Sequence, residues 1–156
     1  MSKLTKYLQL YEKQGLCTIP IPFKSKVATI EWKKYQERLP TSEESEKWFS
    51  NNECNIAIVC GEVSDNLIVL DCDSKEKYEE LKPVIEGKLG IDKLETCTPI
   101  VKTGKGYHIY FKTPTPVKSI KFPNLDIKGE GGYVIAPPSI HPNGQNYIFV
   151  NSVKKP

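Results

Sequence analysis

The stretch that most constrains this chain is Leu67-Ile68-Val69-Leu70-Asp71-Cys72-Asp73. Four apolar, strand-prone residues run directly into two carboxylates spaced i, i+2. Side chains alternate faces along a strand, so a strand through both residues points Asp71 and Asp73 the same way. Two carboxylates on one face repel unless positive charge sits between them, and an oxygen-loving divalent cation is the usual solution. The plainer reading is that Asp71 starts a turn and Asp73 caps a helix beginning at Ser74. Two downstream features favour the first reading. A histidine, His108, lies in a Gly/Lys-rich strand, and a third aspartate, Asp126, precedes another glycine-rich stretch.

The chain of 156 residues fits a single domain with a real core, and its 38% hydrophobic and 26% charged residues are those of a globular protein. No apolar run approaches the length of a membrane span, and the N-terminus is too polar for a signal peptide. The five cysteines are scattered and never spaced C-x-x-C, which argues against a zinc site and a disulfide framework and fits a reducing cytoplasm. Charge is uneven. Residues 1–40 carry eight basic and three acidic side chains, residues 41–100 carry six and fourteen, and residues 101–156 carry eight and two. In that basic final third, Lys102, Lys105, Lys112, Lys118, Lys121 and Lys128 are interleaved with Tyr107, Tyr110, Phe111 and Tyr133. Such a pattern suits a phosphate-bearing partner, or simply a solvated lysine-rich surface.

Hydrophobic spacing predicts a helix over Leu4–Gln14 stopped by Gly15, then a strand over Leu16–Ile21 that Pro20 and Pro22 confine to an edge. Lys24 and Lys26 follow, either in a solvated loop or as phosphate contacts, and Trp32 reads as a core anchor. Thr41 or Ser42, with Glu43 and Glu44 behind, opens a second helix. A strand over Asn55–Cys60 and the Leu67–Asp71 strand read as a hairpin, and a helix from Ser74 to Leu89 contains Pro83, which predicts a kink or an early end. Strands at Thr98–Lys102 and Tyr107–Lys112 flank the turn Thr103-Gly104-Lys105-Gly106. Short strands at Leu125–Lys128, Tyr133–Ala136 and Tyr147–Val150 complete the chain, the last after an Asn143-Gly144 turn. The order is that of an α+β fold with a mixed or antiparallel sheet.

A third carboxylate added to a D-x-D pair is what a two-cation phosphoryl-transfer site needs. Gly104, Gly106, Gly129, Gly131 and Gly132 let backbone N–H groups approach phosphates, Lys102, Lys105 and Lys128 can neutralise them, and His108 can donate to a phosphate oxygen. With these pieces in order, the chain resembles the prim-pol branch of the archaeo-eukaryotic primase superfamily, the bifunctional primase/polymerase N-terminal domain. The resemblance runs over nearly the whole sequence. It includes Gly15-Leu16, Trp32-Lys33, Asn55-Ile56-Ala57-Ile58-Val59, the D-x-D, Lys102 to Phe111, and Leu125 to His141. The family's paired acids fall on Asp71 and Asp73, its triphosphate-contacting histidine on His108, and its third metal-binding aspartate on Asp126. Many relatives read S-x-H where this chain has Gly106-Tyr107-His108, so one hydroxyl is missing. Some relatives carry a zinc-binding stem; no cysteine–histidine cluster offers one here.

The resemblance implies a single catalytic domain over residues 1–156, with an N-terminal α/β module (about 1–64) packed on a module like an RNA-recognition motif (65–150). It implies a DNA primase/polymerase that adds dNTPs or NTPs to a strand on a single-stranded template or primer-template and releases pyrophosphate. Asp71, Asp73 and Asp126 would be the catalytic metal ligands for two Mg²⁺ or Mn²⁺ ions. Lys102, Lys105, His108, Lys128, Ser139 and His141 would hold phosphates. Helical primase or helicase domains accompany many relatives. Two other classes stand beside this reading: a metal-dependent nuclease or replication initiator, and a non-catalytic single-stranded nucleic-acid-binding module.

Overall fold

The computed structural model describes residues 2–50 and 53–151; Lys154 and Lys155, counted above in the basic final third, lie outside them. Within that range the chain is α+β, with three α-helices and two antiparallel sheets. Helix α1 (Lys3–Lys13) is capped by Ser2, whose Oγ accepts the Thr5 N–H at 3.1 Å, and it buries Leu4, Leu8 and Tyr11. The chain leaves it through Gly15, at φ +74°, a conformation glycine adopts without steric cost. Helix α2 (Ser42–Phe49) opens on the expected capping box, in which Thr41 Oγ1 accepts from Glu44 N and the Glu44 carboxylate accepts from Thr41 N.

A three-stranded sheet has the order β1 (Cys17–Pro22), β2 (Cys54–Val59), β8 (Tyr133–Ala136). Its edge strand β1 contains Pro20 and Pro22, the position the missing N–H groups dictate. A six-stranded sheet runs β6 (Ile120–Phe122), β7 (Leu125–Lys128), β3 (Leu67–Cys72), β5 (Tyr107–Lys112), β4 (Ile100–Lys102), β9 (Ile148–Phe149). The predicted β4–β5 hairpin forms, closed by Thr103 N donating to Gly106 O at 2.9 Å. The predicted β2–β3 hairpin does not. Both edges of β2 are taken, by β1 and β8, so the chain crosses to the other sheet, and only the bridge Gly61–Leu67 joins the two segments. β6 is a further departure, a short exposed edge strand in what reads as a polar connection. Helix α3 (Lys75–Leu89) runs through Pro83 and ends at Gly90 in the left-handed region.

Alternation along β3 sets up everything that follows. Ile109, Cys72 and Leu125, with Leu70, share the sheet face covered by Tyr78, Leu81 and Ile85 of α3. The opposite face carries Leu67 and Val69, which join Tyr110 and Val101 in one core with Ile56, Ile58 and Val134 of the smaller sheet. Asp71 is the next residue on that same face, just past the end of the shared core.

Candidate active-site cleft

Residues directly opposite in an antiparallel pair share a face. The register places Lys121, Asp126, Asp71, His108 and Val101 in one row across β6, β7, β3, β5 and β4. Two aspartates and a histidine far apart in sequence thus become neighbours. His108 Nε2 lies 3.4 Å from Asp71 Oδ1, and Lys128 Nζ lies 3.6 Å from Asp126 Oδ2. Asp126, Asp71 and His108 of this row line a cleft of about 760 Å³, whose other walls include Lys26, Trp32, Asp73, Thr103, Lys105, Tyr133, His141 and Tyr147.

Asp73 follows the end of β3 and lines the cleft. It does not cap α3: Ser74 does, its Oγ accepting the Lys77 N–H at 3.1 Å. The plainer reading of the D-x-D pair therefore fails at its second residue. The Asp73 N–H donates to Asn124 O at 3.1 Å, which ties this bend to the turn between β6 and β7.

Gly106 has a structural reason to lack a side chain. A Cβ there would overlap the Cys72 carbonyl oxygen and press on the backbone of Asp73 and Ser74. The turn preceding His108 is seated directly against the end of the D-x-D strand, and the hydroxyl common in relatives has no room in this backbone. A different hydroxyl sits close by. Thr103 Oγ1 accepts the Gly106 N–H at 2.9 Å and lines the cleft.

The remaining residues named from the sequence separate. Lys105, Lys128 and His141 line the cleft. Lys102 pairs with Tyr107 in the β4–β5 register, which puts it on the sheet face away from His108, exposed. Ser139 is buried, and its hydroxyl is spent on β2: it accepts from Ile56 N at 2.8 Å and donates to Ile56 O at 3.2 Å. The sequence reading did not place four of the cleft residues in the site: Thr103, Tyr133, Tyr147, and Trp32, which it read as a core anchor. Trp32 packs edge-on to Tyr133, with ring centroids 4.9 Å apart. The Tyr133 hydroxyl accepts from Ala28 N and donates to Lys26 O, fixing the loop that brings Lys26 to the cleft. The Lys24–Lys26 pair was a sequence signal for that wall; Tyr147 offered none, because its position depends on how the 141–146 loop folds back.

Electrostatics follow from this packing. Burial raises the Asp71 carboxyl, but the hydrogen bond and charge of His108, then Lys128 and Lys26, outweigh it and hold the group below its ordinary value. Burial, with the Asp71 charge adding, pushes the Tyr147 phenol up. His108 Nδ1 is buried and without a hydrogen-bond partner among the described residues. In donor type, the carboxylates suit a hard divalent cation, and Asp71 and Asp126 are like charges set directly opposite each other, an arrangement that costs energy unless countered. Among the described residues, however, no three His, Cys, Asp or Glu side chains are drawn together closely enough to hold a metal ion.

Acids, a histidine and lysines from far apart in the sequence are thus gathered in a cleft lined by strands of both antiparallel sheets. Residues 8–156 match the family described as bifunctional DNA primase/polymerase, N-terminal, and the chain belongs to that family. At the level of the family it is an enzyme of primase/polymerase type, with nucleotides and nucleic acid as its substrates. A search among curated proteins found no match.

Proposed function

We propose that this chain is a template-dependent nucleotidyltransferase, which adds a nucleoside triphosphate to a DNA strand and releases pyrophosphate in the cleft described above. The observation that carries this reading is the row Asp126–Asp71–His108, which cross-strand register assembles at the edge of the shared core beside Lys105 and Lys128. Asp71, Asp73 and Asp126 are the residues that would hold Mg²⁺ or Mn²⁺. When bound, such ions neutralise charge developing on the attacking and leaving oxygens. Lys26, Lys105 and Lys128 draw the triphosphate into the cleft. His108 keeps Asp71 ionised and oriented, and offers a donor toward the phosphates once Asp71 is otherwise engaged. Trp32 and Tyr133 form an aromatic wall suited to the base or sugar of the nucleotide.

A primed single-stranded template incubated with labelled dNTP and Mn²⁺ tests the assignment. Extension by one or more nucleotides is expected. Cleavage of the strand would favour the nuclease reading, and a mobility shift with neither product would favour a binding module.

A further inference from the structure

The loop between β1 and Trp32 carries two apolar side chains that the fold leaves outside. Phe23 is 54% exposed and Val27 67%, on either side of Lys24-Ser25-Lys26. The backbone beneath them is nonetheless pinned. Ser25 N donates to Pro22 O at 2.9 Å, closing a turn with Phe23 and Lys24 at its tip. Lys24 sits at φ +58°, a conformation unfavourable to a residue with a Cβ. Asn55 Nδ2 donates to Ser25 O at 3.2 Å and to Ile140 O at 2.8 Å, tying the loop to the far end of the smaller sheet. Val27 N donates to Ser25 Oγ at 3.1 Å, and the Tyr133 hydroxyl holds Lys26 O.

A bare connection has no use for an aromatic ring at the tip of a fixed turn. Covering such a ring with another flat apolar surface releases the water around it, and the rigid turn has already met the cost of ordering. The surroundings say what that surface is. Lys24 Nζ lies 5.8 Å from the Phe23 centroid. Lys26, on the same loop, lines the cleft, so the tip and the cleft mouth are parts of one segment. Between Glu12 and Glu31 the chain carries Lys13, Lys24 and Lys26 and no acid. A single ring set among lysines is not the continuous apolar face that a protein partner covers. It is complementary to a partner with flat faces and an anionic backbone, which is an unpaired nucleic-acid strand.

We infer that Phe23 is a stacking platform for an unpaired base of the template strand at the mouth of the cleft. The inference rests on the nucleotidyltransferase reading and adds to it the path of the template. The choice of strand follows from the chemistry. The growing end must reach Asp71 and Asp126 and stays paired behind them, and the incoming nucleotide is held within the cleft. Only the template ahead of that nucleotide presents unpaired bases. Every base has a π-face, so the platform is indifferent to template sequence. Two competing accounts give Phe23 to a second copy of the chain, or to solvent alone. Substitutions that separate shape from aromaticity decide among them: leucine keeps an apolar side chain of similar reach and loses the ring, whereas tyrosine keeps the ring.

The experiment measures binding of the full chain to a primer-template with an unpaired template overhang, by fluorescence anisotropy, with a blunt duplex of the same length beside it. Phe23→Ala and Phe23→Leu are expected to weaken overhang binding by about tenfold, and Phe23→Tyr to stay within about threefold of wild type. Stacking releases no counterions, so the residual affinity is expected to keep the wild-type salt slope. With 2-aminopurine placed in turn along the overhang, one position is expected to change fluorescence on binding to wild type and not to Phe23→Leu. Blunt-duplex binding, dATP affinity and melting temperature are expected to be unchanged in all three variants. Wild-type overhang affinity in Phe23→Ala, an equal loss on the blunt duplex, or full overhang affinity in Phe23→Leu would overturn the inference and leave the nucleotidyltransferase reading standing. A change of sedimentation coefficient in Phe23→Ala with overhang binding intact would do the same and give the ring to a second copy. A wild-type chain that neither binds the overhang nor extends the primer would overturn both.

Discussion

At the scale of single residues, the acids and the histidine were legible because their chemistry is costly anywhere else. Asp71 ends an apolar run, and like charges on one sheet face need a reason to be there. Asp71→Ala and Asp126→Ala are therefore expected to lower primer extension by about a hundredfold or more while the melting temperature stays close to wild type, since each removes one of two opposed carboxylates. Extension at the wild-type rate by Asp126→Ala would remove that residue from the site. Lys102 and Ser139 were not legible to the same degree. Side-chain parity is reset at each turn, and the four-residue turn after β4 pairs Lys102 with Tyr107 rather than with His108. Ser139 is polar because Ile56 needs its backbone groups satisfied, a demand invisible until β8 is known to pair with β2. Gly106 carries a second prediction. Because the Cys72 carbonyl fills the place of its side chain, Gly106→Ser is expected to destabilise the chain by about 2 kcal/mol or more, read as a fall in urea midpoint. A serine accepted there without loss would mean that the turn can move off the D-x-D strand.

At the scale of elements, helices announced themselves through caps, and strands through alternation, but strand partners did not. The 60–66 connection reads as a hairpin because short loops usually join neighbours; Asp65 and Asn66 even adopt the left-handed conformations such turns use. What decides against the hairpin lies far along the chain, where β8 claims the second edge of β2. The start of α2 is by contrast locally determined. Glu44 completes the capping box and also accepts hydrogen bonds from Arg38, with Nη1 at 2.9 Å, and from the Tyr35 hydroxyl. Arg38 first, then the Thr41 N–H and Tyr35, hold its carboxyl well below the ordinary 4.5. A carboxyl depressed in the folded state stabilises it fully above the unfolded value and loses that stabilisation as pH falls below it. Wild type is expected to lose melting temperature below about pH 4.5 more steeply than Glu44→Gln, whose amide does not titrate. Parallel melting curves for the two proteins between pH 6 and 3 would show that this cluster contributes no acid sensitivity.

At the scale of the whole molecule, both sheets share one core, and the cleft opens where that core gives out along the Leu67–Val69–Asp71 face. The fold class could be read from the order of elements. The cleft could not, because it depends on two sheets meeting, and β8 returns to the first sheet only after the second is nearly complete. Its charge balance yields the last prediction. The cleft is lined by three lysines, Lys26, Lys105 and Lys128, and three aspartates, Asp71, Asp73 and Asp126, whose formal charges cancel. A triphosphate brings roughly four negative charges into that neutral space. Lysine Nζ groups already facing carboxylates, as Lys128 faces Asp126, have less to give a phosphate. On the proposed reading, the attraction for the triphosphate would come from divalent cations held by the carboxylates, which would also free Lys128 for the phosphates. Chelation with EDTA is expected to weaken dATP binding by about a hundredfold or more, and Mg²⁺ or Mn²⁺ to restore it. Combining Asp71→Asn with Asp126→Asn adds two positive units to the cleft and is expected to make the residual dATP affinity nearly indifferent to divalent ions, though without extension. Equal affinity of the wild type with and without EDTA, measured at the same ionic strength, would mean that the lysines alone hold the nucleotide and that the aspartates serve some other purpose.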